Sequence, residues 1–334
     1  MKIGFFEIEG WEEKNVNQKL NNHQLYFYNQ KIDDLLLPEN NDFDIISIFV
    51  DSKINSKVLD YFPNLKCITT RSTGFDHIDI EECKKRNISV LYVPGYGDNT
   101  VAEFTFGLIL NLTRKIYQAI DQIKESAIFD VKNLRGTDLK GKTIGIIGTG
   151  RIGREAIKIA KGFGMNVLAY DPYPNENFAK EIGYSYVNLD DLLANSDIIS
   201  IHCPYSESTH HLINKNNILK IKKGAYLINT ARGAIVETES LILALDQKIL
   251  AGAGLDVLEE EGEVKDELFT LKNRHPNEAE LKTIIANHIL MKMPNVLITP
   301  HNAFNSQEAL ERILNITIEN ILSFINGAPQ NKIN

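Results

Sequence analysis

The chain has 334 residues, 43% of them hydrophobic and 24% charged, with a formal net charge of -8. That length suits two domains with separate cores. The acidic balance leaves no basic stripe to offset phosphate repulsion, which argues against nucleic acid, and no run reaches the ~18 apolar residues of a membrane span. The first hundred residues alternate strand and helix. Strands are expected at Lys2–Phe6, Leu25–Tyr28, Asp44–Phe49, Cys67–Thr70 and Ser89–Val93, with helices such as Ser56–Tyr61 and Ile80–Arg86 between them. This is an open parallel α/β pattern without a glycine-rich phosphate turn. The apolar run at the N-terminus ends too soon for a signal peptide. Cys67, Cys83 and Cys203 form no CxxC and leave an odd number, so a reducing, cytoplasmic location is expected.

Asn99 is placed to cap a helix through Val101–Leu112 that is apolar almost all round. Such breadth implies burial on several sides, either inside one core or against a second copy of the chain, and a homodimer is the favoured reading. A β-branched strand, Lys142–Ile147, then runs into Gly148-Thr-Gly-Arg-Ile-Gly153, a helix over Arg154–Phe163, and a second strand, Asn166–Tyr170, ending in Asp171. A glycine turn between strand and helix, with an acid about 20 residues on, is a dinucleotide-binding fingerprint. Gly148 allows the tight turn, Gly150 lets the backbone approach a pyrophosphate, and Gly153 lets the helix pack on the strand. The helix N-terminus offers N–H groups and positive dipole to the phosphates. Asp171 suits a ribose diol and repels a 2′-phosphate, so NAD is expected rather than NADP.

Four more strands follow at Asp197–His202, Ala225–Asn229, Leu250–Leu255 and Val296–Thr299. Ligands of open α/β sheets bind beyond the carboxyl ends of strands, and three chemically notable stretches sit there. Asn229–Gly233 presents Arg232, either an ordinary surface charge or a two-pronged clamp for a carboxylate. After Leu255 come Asp256 and the acids Glu259, Glu260 and Glu261, usually a solvated run. One of them beside a histidine would favour the imidazolium and orient the ring. Thr299–Ala303 supplies His301, the best acid/base candidate. His23, His77, His210, His211, His275 and His288 read as ordinary, and His202 reads as packing. No metal is expected, since no HxxxH, HExxH or Cys/His cluster occurs, and no GxSxG points to a serine nucleophile. Gly262–Lys292 is a charged, partly helical excursion, a surface feature or a lid. Asn305 and Glu308 resemble a capping box opening a last helix with apolar Leu310, Ile313, Leu314, Ile318, Ile321, Leu322 and Ile325.

Six stretches, in this order, resemble the D-isomer-specific 2-hydroxyacid dehydrogenases, in particular their D-lactate dehydrogenase-like branch: Ser72–Asp76, Val93–Glu103, Gly148–Gly153, Asn229–Gly233, Leu255–Leu258 and Pro300–Ala303. The resemblance spans nearly the whole chain. It implies two Rossmann-like, doubly wound parallel-sheet α/β domains flanking a cleft. Residues 101–301 would form the NAD-binding domain, inserted into a flavodoxin-like substrate domain made of residues 1–100 and 302–334. It implies Arg232, Glu261 and His301 as the catalytic set. The register of the acid leaves Glu263 as an alternative. Thr73, Gly74 and Tyr96 fall on the substrate side. Arg151 and Ile152 fall at the pyrophosphate, Cys203, Pro204 and Thr209 further along the cofactor, and Thr230, Ala231 and Asp256 near the nicotinamide. Two departures stand out: Phe104 where many members carry histidine, and Gly262 where Pro commonly follows the catalytic acid.

The activity so implied is NADH-dependent reduction of a 2-oxo acid to a D-2-hydroxy acid, and the reverse, with pyruvate and D-lactate as the expected pair. His301, protonated and paired with Glu261, would give its proton to the carbonyl oxygen while Arg232 and the backbone at Gly74 orient the substrate. Domain closure would hinge near Asp98–Asn99 and His301–Ser306. An NAD-binding regulator on the same fold, or a dehydrogenase for another 2-hydroxy acid or a phosphorus oxyacid, are the alternatives.

Overall fold

Short β-branched runs form strands such as Ile45–Ile48, Thr143–Ile147 and Ile198–Ile201, and the helices and loops between strands return the chain to parallel neighbours. In the computed structural model of the chain, residues 1–261 and 277–334 are described. They divide into two compact units, Met1–Tyr96 with Ser306–Asn334, and Gly97–Asn305.

In the first unit, β1 (Lys2–Phe5), β2 (Gln24–Phe27), β3 (Ile45–Ile48), β4 (Cys67–Thr70) and β5 (Ser89–Leu91) form a sheet ordered β2-β1-β3-β4-β5. Every pairing is parallel. Alternating side chains serve two cores. Ile46, Ile48, Ile68 and Val90 face Val58, Leu59 and Cys83. Ile3, Phe5, Ile45 and Leu91 face Val16 and Leu20, together with Leu314, Ile318 and Ile321 of the last helix, Gln307–Ile325. That helix begins one residue later than its sequence suggests. Ser306, in extended backbone, accepts from Ala309 N at 3.2 Å, while Asn305 donates to Asn302 Oδ1.

In the second unit, β6 (Thr143–Ile147), β7 (Asn166–Tyr170), β8 (Ser185–Tyr186), β9 (Ile198–Ile201), β10 (Ala225–Asn229), β11 (Leu250–Leu255) and β12 (Val296–Ile298) form one parallel sheet. Its order is β12-β11-β10-β9-β6-β7-β8. The winding reverses between β6 and β9, the crevice where such sheets take ligands. The apolar helix is Asp98–Arg114. It starts at Gly97 rather than at an Asn99 cap, because the Asn99 amide donates sideways to Glu103. It buries Ala102, Phe106, Ile109 and Leu112 against Ile144, Ile146 and Ile157 of its own unit. Much of its apolar breadth is thus taken up inside its own unit.

Residues 262–276 lie outside the described residues, and with them Glu263, His275 and much of the expected excursion. From Glu278 to Lys292 the chain is a single helix, with Ala286 and Leu290 buried. No helix of the described residues is long and apolar enough to cross a membrane.

Candidate active site

The glycine turn is built by two steric demands. Gly148 has φ +92°, and a Cβ there would stand 2.6 Å from Cys203 N. A Cβ on Gly153 would stand 2.1 Å from Gly148 O. Any other residue would push the helix Arg151–Gly162 off β6, or the turn off the segment after β9. The helix starts at Arg151, three residues earlier than expected, because Gly150 is already its extended N-cap. No side chain caps it, and a Cβ on Gly150 would meet nothing within 4 Å. An uncapped first turn facing open space fits an anionic group.

Asp171 ends β7 and is already oriented. Its Oδ2 accepts from Thr149 N at 2.7 Å and Thr149 Oγ1 at 2.9 Å, and its Oδ1 accepts from Tyr173 N at 2.8 Å. Thr149 Oγ1 lies 2.9 Å from Tyr186 Oη. Since the threonine proton goes to Asp171, Tyr186 is the donor there, and Tyr184 in turn donates to Tyr186 at 2.9 Å. Burial, and then that bond, push Tyr184 well above the ordinary phenol range, so it remains a donor. Oδ2 already accepts twice, and Oδ1 keeps a lone pair for a ribose hydroxyl. The cradle therefore fits NAD: N–H groups for the pyrophosphate, an acid for the diol and a negative charge against a 2′-phosphate.

After β9, Cys203 lies against the glycine turn, and burial pushes its thiol up to about 11, so it is protonated and unreactive. Pro204 is exposed. Thr209 is engaged in a local turn, its hydroxyl donating to Pro204 O at 2.8 Å and accepting from Ser206 N at 2.8 Å.

The catalytic candidates Arg232, Glu261 and His301 come from three strand ends of this same unit. Beyond β10, Asn229 braces the loop by donating to Arg232 O at 2.8 Å and accepting from Ala231 N at 3.0 Å. Thr230 is buried, its hydroxyl 2.9 Å from that of Thr105. Arg232 is half-buried, with Nη1 donating to Ala231 O at 2.8 Å. Beyond β12, His301 has φ +53°, a left-handed backbone that a β-carbon disfavours. Asp256, only 1% exposed, maintains that shape. Its carbonyl accepts from His301 N at 2.8 Å, and its carboxylate accepts from Thr299 Oγ1 at 2.5 Å, Asn302 N at 2.8 Å and Ala303 N at 2.8 Å. Burial raises the Asp256 pKa, and these bonds oppose the shift.

His301 Nδ1 lies 2.7 Å from Glu261 Oε1, and both side chains remain partly exposed. A carboxylate at Nδ1 keeps the proton on that nitrogen, so Nε2 becomes the nitrogen that exchanges a proton. Such an imidazole can serve as general acid or base.

Thr73, Gly74 and Tyr96 belong to the first unit. Thr73 Oγ1 donates to Val93 O at 2.7 Å, Gly74 O accepts from Ser72 Oγ at 2.6 Å, and Tyr96 O accepts from Arg312 Nε at 2.6 Å.

Two groups escaped the sequence. His211 reads there as ordinary, yet its Nε2 lies 2.6 Å from Glu259 Oε1. The Thr149–Tyr186 brace behind Asp171 left no sequence sign beyond threonine's place inside the glycine turn.

A nucleotide cradle at the switch of a parallel sheet, sharing its unit with a carboxylate-held imidazole, defines a nicotinamide-dependent dehydrogenase. Residues 106–303 match the family model of the D-isomer specific 2-hydroxyacid dehydrogenase, NAD binding domain. A 2-hydroxyacid dehydrogenase homolog of Zymomonas mobilis is 35% identical over 96% of each chain. A glyoxylate reductase of Thermofilum pendens is 41% identical over 87% of this chain and 81% of its own. The crystal structure of D-lactate dehydrogenase from Aquifex aeolicus, complexed with NAD and lactic acid, superposes with a TM-score of 0.87 at 36% identity, covering 98% of this chain and 96% of that one. The chain belongs to the D-isomer-specific 2-hydroxyacid dehydrogenases, and its cofactor is NAD.

Proposed function

We propose that the chain reduces a short 2-oxo acid to the D-2-hydroxy acid, with pyruvate and D-lactate as its principal pair. The observation that carries this reading is the 2.7 Å contact between His301 Nδ1 and Glu261. NADH supplies the hydride when bound. Arg232 takes the substrate carboxylate through two parallel hydrogen bonds. Protonated His301 gives its Nε2 proton to the carbonyl oxygen, and in oxidation neutral Nε2 accepts the hydroxyl proton. Glu261 holds the ring and balances its charge. Asp256 keeps the 299–303 segment in place. Thr73, Gly74 and Tyr96 are assigned to the substrate side on family resemblance. Arg151, Ile152, Cys203, Pro204, Thr209, Thr230 and Ala231 are assigned to the cofactor on the same ground, with the first unit as substrate domain and the second as NAD domain. An intact Arg232, Glu261 and His301 set favours turnover over a purely regulatory NAD-binding role.

The Aquifex aeolicus enzyme with lactic acid supports lactate. The Thermofilum pendens glyoxylate reductase favours glyoxylate as the second reading. NADH consumption against pyruvate, glyoxylate and branched or aromatic 2-oxo acids, with chiral analysis of the product, separates the two. The highest kcat/KM on pyruvate with D-lactate formed supports the first; a preference for glyoxylate replaces it with the second. His301→Asn is expected to lower kcat by about 10²–10⁴-fold. An unchanged rate would remove the histidine from its role.

The homodimer also belongs to this proposal, on a different helix from the one the sequence suggests. Ile116–Ser126 buries none of its residues, and Ile116, Ile120 and Ile123 share one exposed stripe. A cytoplasmic location is supported by the three thiols, all unpaired.

A further inference from the structure

Glu259, two residues before the proposed catalytic acid, is anchored through both its carboxylate and its carbonyl. Its Oε1 lies 2.6 Å from His211 Nε2. Its Oε2 accepts from Thr238 Oγ1 at 2.7 Å and more distantly from Thr238 N at 3.4 Å. Its carbonyl accepts from Asn287 Nδ2 at 2.7 Å, and Asn287 is fully buried. Three separate pieces of the second unit thus converge on one residue: the loop after β9, the first turn of the helix Thr238–Asp246, and the helix Glu278–Lys292.

His211 is itself held. Its N–H donates to Ala234 O at 2.8 Å, and its carbonyl accepts from Asn214 Nδ2 at 2.6 Å. The His210 ring stacks on that of His211, with centroids 3.9 Å apart. The fastened turn also abuts the arginine loop. A Cβ on Gly233 would stand 2.0 Å from Leu258 C and 2.2 Å from Glu259 N. The backbone beside Arg232 therefore rests on the backbone at Leu258–Glu259, while Leu258 N reaches forward to Glu261 Oε2 at 3.3 Å.

We infer that the Glu259–His211–Thr238 clamp is a positioning device for the reaction. It fixes the 257–261 turn so that Glu261 meets His301 Nδ1 and the Arg232 loop keeps its register. The contacts of Glu259 run to His211, Thr238 and Asn287, so the clamp acts through the turn. This rests on the reading of Glu261 and His301 as catalytic. Displacing a catalytic group by about 1 Å can cost ~10²-fold in rate, and residues acting as a unit lose activity non-additively.

The test compares His211→Ala, Glu259→Ala, their double variant, Glu259→Gln and Glu261→Gln in the full chain. Readouts are kcat with pyruvate and glyoxylate, NADH affinity by fluorescence titration without turnover, and the thermal midpoint. His211→Ala and Glu259→Ala should each lower kcat by roughly 10–100-fold with NADH affinity changed less than about twofold. The double variant should be no slower than the slower single, and Glu259→Gln, which keeps an acceptor for Thr238, should recover to within about threefold of the native rate. Should the alanine variants not fold, Thr238→Val removes one hydroxyl alone and should lower kcat by about threefold or more at an unchanged midpoint. Native kcat in folded His211→Ala or Thr238→Val, or losses that multiply when Glu259→Ala is combined with Glu261→Gln, would overturn the clamp. Native kcat in Glu261→Gln alone would overturn the catalytic reading instead.

Discussion

His202 closes β9 beneath the glycine turn, and burial lowers its pKa from 6.5 to about 4. Its Nε2 lies 2.9 Å from Ser200 Oγ, a neutral partner that does nothing to hold a proton on the ring. The folded chain therefore keeps this imidazole neutral where the unfolded chain protonates it. Between pH 6.5 and about 4 the unfolded state binds more protons, so stability is complete above the unfolded value and falls as pH drops toward the folded one. From about pH 7 to about pH 5 this single group removes on the order of 2 kcal/mol. His202→Gln, which can still bond Ser200, should lose less stability over that interval than the native chain when both are unfolded in urea. Equal losses in the two proteins would show that His202 does not titrate in this way.

Elements join through side chains that sequence distance conceals, and the tyrosine relay behind Asp171 is one instance. Tyr184 and Tyr186 border or belong to β8, Asp171 ends β7, and Thr149 sits in the turn after β6. The relay aims one carboxylate, so loosening it should blur the choice between cofactors. Tyr186→Phe removes the donor to Thr149, and one hydrogen bond of ~1 kcal/mol corresponds to about a fivefold change. The NADH KM should rise by about that factor, and Asp171→Ser should cut the preference for NADH over NADPH further by removing the negative charge. Unchanged KM values for both cofactors in Tyr186→Phe would show the relay to be idle. The contrast with what the sequence discloses is physical. Strands such as Thr143–Ile147 and Ile198–Ile201 are legible because β-branched runs and turn residues are local signals, and the glycine turn is legible because sterics fix its spacing. Cap positions slipped by one to three residues at Gly97, Gly150 and Ser306, the first two being glycines with no capping side chain to mark the boundary. The side-chain partners of Glu259 and Asp256 lie 21 to 48 residues away along the chain, and no local pattern announces them. His211 reads as an ordinary histidine for that reason.

At the scale of the whole molecule, the second unit carries an apolar surface that its own core does not use. The chain turns at Lys115, φ +53°, and the helix Ile116–Ser126 leaves Ile116, Tyr117, Ile120 and Ile123 between 41% and 54% exposed. The segment beyond it adds Ile128, with Phe129 94% and Val131 84% exposed. This is not a frayed strand of chain. Gln122 Nε2 donates to Ile128 O at 3.0 Å and Asp130 O at 2.9 Å, folding the segment back on the helix. These residues are the surface on which the proposed homodimer would rest, since a two-fold contact lets one such stripe cover its own copy. Sedimentation of the native chain should give twice the mass of a single chain. Ile120→Asp combined with Ile123→Asp places two charges in the stripe and should shift the protein to one-chain mass with its far-ultraviolet dichroism unchanged. A native protein that sediments as one chain, or a double variant that remains paired, would reject this surface as the dimer contact.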